Sequence, residues 1–247
     1  MRLRLVFWRH GQTVQNASMR IQGSQDFPLN DVGHAQAAVA AKELARMKPG
    51  WIYSSDLGRA LQTAQYLADA TGVEIRRDAG LRERAYGPWE GLTSAEIRAR
   101  DPEQWKAWRE GREPKGVGVE SREACGRRVH RAVERALSEV RRELAAGAAA
   151  GGDATGCGSS VRAAGEGGVA SQDDVVTIVF VAHGGSIANG VMSMLGQNPS
   201  EWVGLQGMDN CHWSIIEPRP SANPVWRMRS YNLGASAGEP VCGLPYR

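Results

Sequence analysis

Apolar residues along the chain form short unbroken runs, separated by longer stretches with helical spacing. Residues 3–8, LRLVFW, are apolar apart from Arg4, which predicts a short buried strand. Asn30 stands as an N-cap before an Ala-rich stretch with apolar positions at helical spacing, predicting a helix over about 31–47. WIYS at 51–54 predicts a second strand. Asp56 follows as the expected cap of a helix through LGRALQTAQYLADAT, closed by Gly72. A third strand at 73–76 completes β-α-β-α-β, the order of an α/β fold with a parallel sheet and helical crossovers.

Residues 81–91 have no period and carry Gly and Pro, so they read as a loop. Residues 93–111 and 119–146 read as helices, the second with Arg/Glu pairs three or four apart. VVTIVFVA at 175–182 is the strongest strand, followed by a Gly-Gly turn and the helical SIANGVMSML. Residues 212–217 and 225–230 predict a late antiparallel edge. Residues 145–174 are dominated by Gly and small residues that cannot join a core, and read as a mobile surface insertion. A single domain over 1–234 with a frayed tail at 235–247 is expected from these patterns and from the length of 247 residues.

Charge and cysteine usage narrow the functional classes. The net charge is +3, and the basic residues between 76 and 142 alternate with Glu and Asp as on solvated helices. A nucleic-acid binder would show an unbroken basic stripe, so no nucleic-acid partner is expected. The four cysteines are far apart and form no CxxC, which argues against a zinc site or disulfide framework. No apolar run reaches about 18 residues, so no membrane span is expected. The N-terminal apolar run meets Arg9-His10 too early for a secretory leader, and the expected location is cytoplasmic.

Two strand ends share one design. Strand 3–8 runs into Arg9-His10-Gly11, and strand 175–182 runs into His183-Gly184-Gly185. Ligands of open parallel sheets bind at the carboxyl ends of strands near a topological switch point. Arg59, early in the helix after strand 51–54, and Glu83, in the loop after the next strand, can reach the same rim. A site with two arginines and two histidines suits a phosphoryl group, since guanidinium binds phosphate oxygens bidentately. A helix N-terminus and glycine N–H groups would add to it. An imidazole can take the phosphoryl group covalently, and a carboxylic acid can protonate the leaving oxygen. The pattern offers no paired Asp cluster or HExxH, so neither a metal nor another cofactor is expected.

RHGQT at 9–13, Asn16, QGSQDFPLN at 22–30, SSDLGRALQTA at 54–64, LRERAYGPWEGLT at 81–93 and VAHGG at 181–185 together resemble the histidine phosphatase superfamily, in its phosphoglycerate-mutase-like branch. The blocks keep the family order and cover nearly the whole chain outside 145–174 and the tail. The resemblance implies a three-layer α/β sandwich with helices on both faces of a mostly parallel sheet. It implies that His10 is the phosphorylated nucleophile, that Arg9, Arg59 and His183 complete the phosphate pocket, and that Glu83 is the proton donor. Asn16, Gln22 and Gly23 would line the substrate pocket, with the N–H of Gly184 as a further donor. The activity implied is metal-independent hydrolysis of a phosphomonoester, a small-molecule phosphoglycerate or sugar phosphate. Relatives are often dimers, which leaves a homodimer open.

Two other functions use the same residues. A cofactor-dependent phosphoglycerate mutase would keep the phosphoenzyme, but the mutases resemble a longer chain between the acid loop and the second histidine strand. A non-catalytic phospho-ligand module would need none of the chemistry, yet each chemical residue is present. Within the phosphatases, Gln22-Gly23 and Gly207-Met208-Asp209-Asn210 with Trp213 are similar to the glucosyl-3-phosphoglycerate phosphatases. Ala85, where that group tends to carry His, and Gly58 depart from the pattern. Taken singly, His34 and His130 read as surface residues and His212 as structural. Trp105 and Trp108 read as a cover over the site or core.

Overall fold

β1 (Arg2–Arg9) pairs in parallel with β4 (Val175–Ala182) along its full length, inside a six-stranded sheet of order β3 (Ile75–Arg77), β2 (Trp51–Ser54), β4, β1, β5 (Trp213–Pro218), β6 (Trp226–Leu233). The computed structural model of the protein describes residues 2–150 and 175–235. β2 runs parallel to β4 and to β3, and the sheet ends in antiparallel β5 and β6. The unbroken apolar runs are explained by two-sided burial. Leu5 and Phe7 face one core and Val6 and Trp8 the other, all fully buried.

The helices divide between those two faces. On one lie α2 (Asp31–Ala45) and α3 (Gly58–Thr71), whose buried alanines (Ala37, Ala40, Ala60, Ala64) let the backbones come close to Val6, Trp8 and Val181. On the other lie α6 (Arg122–Ala150) and α7 (Gly184–Met194), packed through Val129, Val133, Ile187 and Val191 on Leu5, Phe7 and Phe180. The sequence therefore specifies a three-layer α/β sandwich. β1 feeds a helix on one face and its neighbour β4 feeds a helix on the other, so their carboxyl ends open onto a topological switch point.

Several boundaries differ from the sequence expectation, each for a local reason. Asp56 does not cap α3; Leu57 stands at the N-cap without a side-chain bond. The carboxylate of Asp26, 32 residues away, accepts from Gly58 N–H at 2.8 and 2.9 Å instead, and Asp56 pairs with Arg82 at 2.6 Å. Gly72 does end the helix, in the left-handed conformation at φ 73°. The expected helix 93–111 breaks into α4 (Ser94–Arg100) and α5 (Pro102–Arg109), because Pro102 cannot continue a helix and biases Asp101 away from it. A one-turn helix, α1 (Val14–Ala17), and a 3-10 turn at Ala79–Leu81 form where no element was expected, and a second 3-10 turn at Gly87–Trp89 lies inside the stretch read as loop. The third strand sits at Ile75–Arg77 rather than 73–76. α6 continues to Ala150, six residues into the tract read as an insertion, whose residues 151–174 lie outside the described residues, as does the tail from 236.

Candidate active site

The register of β1 on β4 builds the site. Arg9 is paired with Ala182, so His10 and His183 leave adjacent strands at the same level. His10 N–H donates to Ala182 O at 3.0 Å, and the two imidazoles lie 5.1 Å apart between centroids. Both rings are buried. Gly11 lets the chain turn over the start of α2, since a Cβ there would sit 2.5 Å from Gly33 O. His10 Nδ1 lies 2.7 Å from Gly11 O, which can only accept, so the ring proton is on Nδ1. Burial first, then the charges of Arg59 and Arg9, push the His10 imidazolium well below its ordinary range.

Arg59 is fully buried and its guanidinium ties three pieces together. Nη1 donates to Gln25 O at 2.6 Å, Nη2 to Gly23 O at 2.7 Å, and Nε to His183 Nδ1 at 3.2 Å. Burial lowers its pKa to about 10, which leaves it cationic at neutral pH. His183 Nε2 lies 2.8 Å from Ser55 Oγ. Burial, followed by Arg59, His10 and Arg9, holds His183 neutral as well.

The other wall is the N-terminus of α7. A Cβ on Gly184 would lie 3.3 Å from Arg9 Cζ, and one on Gly185 would lie 2.8 Å from Glu83 Oε1. The glycine pair thus brings Arg9 and Glu83 onto one helix end. Glu83 Oε2 accepts from Gly185 N–H at 3.0 Å, and Oε1 from Ser186 N–H at 2.7 Å and Arg84 N–H at 2.8 Å. Arg9 Nη1 donates to Met208 O. Two guanidinium groups and a helix dipole make this crevice suited to an anion.

The family model described as the histidine phosphatase superfamily (branch 1) matches residues 5–150. The chain belongs to the histidine phosphatase superfamily.

Among its relatives is a glucosyl-3-phosphoglycerate phosphatase of Mycolicibacterium vanbaalenii, 35% identical over 246 residues, covering 96% of this chain and 98% of the relative. The protein of that name from Mycobacterium tuberculosis is 35% identical over 244 residues, with the same coverage of both chains. A mycobacterial glucosyl-3-phosphoglycerate phosphatase solved as a complex with VO3 is 32% identical, with a TM-score of 0.72 over 95% of this chain and 100% of that one. This histidine phosphatase is an enzyme, a phosphoric monoester hydrolase with the phosphoglycerate-mutase-like fold.

The structure brings Arg9, His10, Arg59, Glu83, His183 and Gly184 together. Asn16 and Gln22 stand one step further out. Thr13 Oγ1 lies 3.1 Å from Asn16 Oδ1 and 3.0 Å from Gln22 Oε1, and Asn210 Nδ2 reaches both His10 O (3.0 Å) and Asn16 Oδ1 (3.3 Å). Gly23 takes a positive φ of 55° with its carbonyl on Arg59, and a Cβ there would meet Glu90 Oε1 at 2.1 Å. The sequence reading passed over Ser55, Thr63 and Glu90. Thr63 Oγ1 accepts from Gly11 N–H at 3.0 Å, and Glu90 binds the N–H groups of Ser24 and Tyr86. Ser55 and Thr63 lie inside the SSDLGRALQTA block, one at a strand end and one a helical turn after Arg59, so their positions carried a signal. Glu90 carried none.

Arginines read as solvated do not all behave so. Arg84 is buried against Glu113 at 2.7 Å, and Glu113 also accepts from Arg122 N–H and Ser200 Oγ. His34 is half-buried against Tyr66, and His130 half-buried near Ser193. Trp108 packs on Trp89 and Tyr86, covering the acid loop. Among the described residues no helix is long and apolar enough to cross a membrane, and no three His, Cys, Asp or Glu side chains cluster as metal ligands.

Proposed function

We propose that the enzyme hydrolyses a phosphoglycerate-type or sugar-phosphate monoester, of which glucosyl-3-phosphoglycerate is the leading example, through a phosphorylated His10. One bond carries this reading: with its Nδ1–H committed to Gly11 O, His10 keeps a lone pair on Nε2. The neutral ring is held at the base of a cationic crevice, where Arg9, Arg59 and the Gly184 N–H bind the phosphoryl oxygens, and His183, its one ring proton directed at Ser55, backs the Arg59 guanidinium.

In the first step His10 Nε2 attacks phosphorus, the bond from phosphorus to the ester oxygen breaks, and that oxygen takes a proton from Glu83. In the second, Glu83 removes a proton from water as the water oxygen attacks phosphorus. The N–P bond breaks, inorganic phosphate leaves, and His10 and Glu83 return to their starting states. Oε1 of Glu83 already accepts two N–H bonds and Oε2 one, so the open lone pair of Oε2 is the site of the transferable proton. The phosphoglycerate class is supported by the names of relatives aligned over almost the full length. Asn16, Gln22 and Gly23 border the substrate.

The test is release of inorganic phosphate with EDTA present, from p-nitrophenyl phosphate, 3-phosphoglycerate, glucosyl-3-phosphoglycerate and several sugar phosphates, beside His10→Ala. Release that is insensitive to EDTA, abolished in His10→Ala and fastest on glucosyl-3-phosphoglycerate is expected. Conversion of 3-phosphoglycerate to 2-phosphoglycerate without net release would identify a mutase instead. No turnover of any ester would leave a binding module.

A further inference from the structure

The segment carrying Glu83 has little regular structure, yet its backbone is held from one side by a single side chain of α6. Arg128 Nη1 donates to Gly80 O at 3.0 Å and to Arg82 O at 2.8 Å, and Nη2 donates to Glu83 O at 3.2 Å. Its remaining edge is taken by Glu120, with Nε to Oε1 at 3.1 Å and Nη2 to Oε2 at 2.9 Å. Glu120 then extends the clamp past the acid. Its N–H donates to Ala85 O at 2.8 Å, and its Oε2 accepts from Ala85 N–H at 3.1 Å. An ordinary surface ion pair would spend its donors on one carboxylate and on solvent. Here a planar fork converges on three main-chain carbonyls, a geometry that guanidinium provides and ammonium does not.

The backbone and the carboxylate of Glu83 are held by two different helices. Arg128 stands on α6, while the Glu83 side chain is bonded to the first N–H groups of α7. Those helices meet through small residues. A Cβ on Gly190 would lie 2.3 Å from Cγ1 of Val129, the residue after Arg128, and one on Gly126 would lie 2.7 Å from Asn189 O. The close packing fixes the spacing between the group that holds the backbone of Glu83 and the group that holds its carboxylate.

We propose that Arg128, buttressed by Glu120, is the positioning residue for the acid: it fixes the backbone of residues 80–85 so that Glu83 Oε2 meets the leaving oxygen. The proposal rests on the acid role of Glu83 given above. Arg128 itself touches no reacting atom.

Leaving-group chemistry separates positioning of an acid from general support of the fold. p-Nitrophenolate departs without a proton, whereas an alkoxide from a glycerate or sugar does not. kcat/KM reports the steps up to loss of the alcohol, so it isolates the proton delivery. For Arg128→Gln, kcat/KM on the best alkyl phosphate of the panel is expected to fall at least about tenfold more than on p-nitrophenyl phosphate, a part of the roughly 100-fold or greater effect of a general acid. Arg128→Lys should recover part of the loss, and Glu120→Gln should show the same selectivity in milder form. Turnover of p-nitrophenyl phosphate reports that each variant is folded. If Arg128→Gln does not fold, the other two carry the test. Glu83→Gln runs beside them. If it discriminates between the esters and the folded Arg128 and Glu120 variants lose both activities equally, or neither, Arg128 does not position the acid. If Glu83→Gln itself shows no discrimination, the acid role of Glu83 fails and the inference goes with it.

Discussion

Arg59 Nε donates to His183 Nδ1 at 3.2 Å, which joins the buried guanidinium to the second histidine of the site. The accepting Nδ1 must carry a lone pair, so the ring proton is on Nε2, toward Ser55 Oγ at 2.8 Å. One side chain thereby sets the tautomer of His183 and, through Gly23 O and Gln25 O, anchors the loop that borders the substrate.

Replacing that fork by Arg59→Lys keeps a charge but cannot satisfy three acceptors at fixed angles. We expect kcat/KM to fall by about 100-fold or more, with a loss of about 1–3 kcal/mol in unfolding free energy from acceptors left unpaired, the buried Gly23 carbonyl above all. Steady-state kinetics and urea denaturation measure the two. A fully active Arg59→Lys enzyme would show that charge alone is what the site needs.

Both site histidines hold their imidazolium forms well below the ordinary value of 6.5 in the folded state. Between the folded and unfolded pKa values the unfolded chain binds more protons, so stability rises with pH through that window and levels off above about 6.5. Each histidine contributes a slope of up to about 1.4 kcal/mol per pH unit. Denaturant unfolding from pH 5 to 7.5 in phosphate-free buffer measures this, with His10→Ala and His183→Ala expected to flatten the curve. Stability that grows on acidification through the same range would contradict it.

Gly185→Ala places a methyl group 2.8 Å from Glu83 Oε1. The carboxylate must give way, so kcat/KM on alkyl phosphates is expected to fall about tenfold or more. Helix propensity favours alanine, while the shifted carboxylate weakens its bonds to the Gly185 and Ser186 N–H groups, so the melting temperature should change little. Activity together with Tm by calorimetry tests the pair. An equal fall of both would point to a folding defect rather than displacement of the acid.

Asp26→Ala removes the cap of α3, leaving Gly58 N–H without its carboxylate and Arg59 without a counter-charge at 4.0 Å. The expected cost is about 1 kcal/mol of stability, and Asp26→Asn should recover most of it. Asp56→Ala, at the position expected from sequence to cap this helix, should cost less. Urea unfolding of the three variants ranks them, and a larger loss for Asp56→Ala would reverse the assignment.

Much of this molecule is local and was legible as such. Strands such as β2 and β4 are almost wholly apolar because both their faces are buried, and only Ser54 and Thr177 interrupt the two runs. The cap at Asn30 and the stop at Gly72 depend on neighbours within a turn, so short patterns revealed them. The order of the motif blocks placed Arg9, His10, Arg59, Glu83 and His183 at strand ends or just beyond, as the geometry bears out. Contacts across the fold leave no such trace. Asp26 as the cap of α3, the Gly184–Gly185 seat for Arg9 and Glu83, and the burial of Arg84 each join residues from segments far apart in the chain. An Arg/Glu spacing on a helix reads the same whether the arginine meets water or, like Arg128, three carbonyls. Periodicity reports which face of an element is apolar; only the packing of α6 against α7 decides what a charged side chain on the other face will touch.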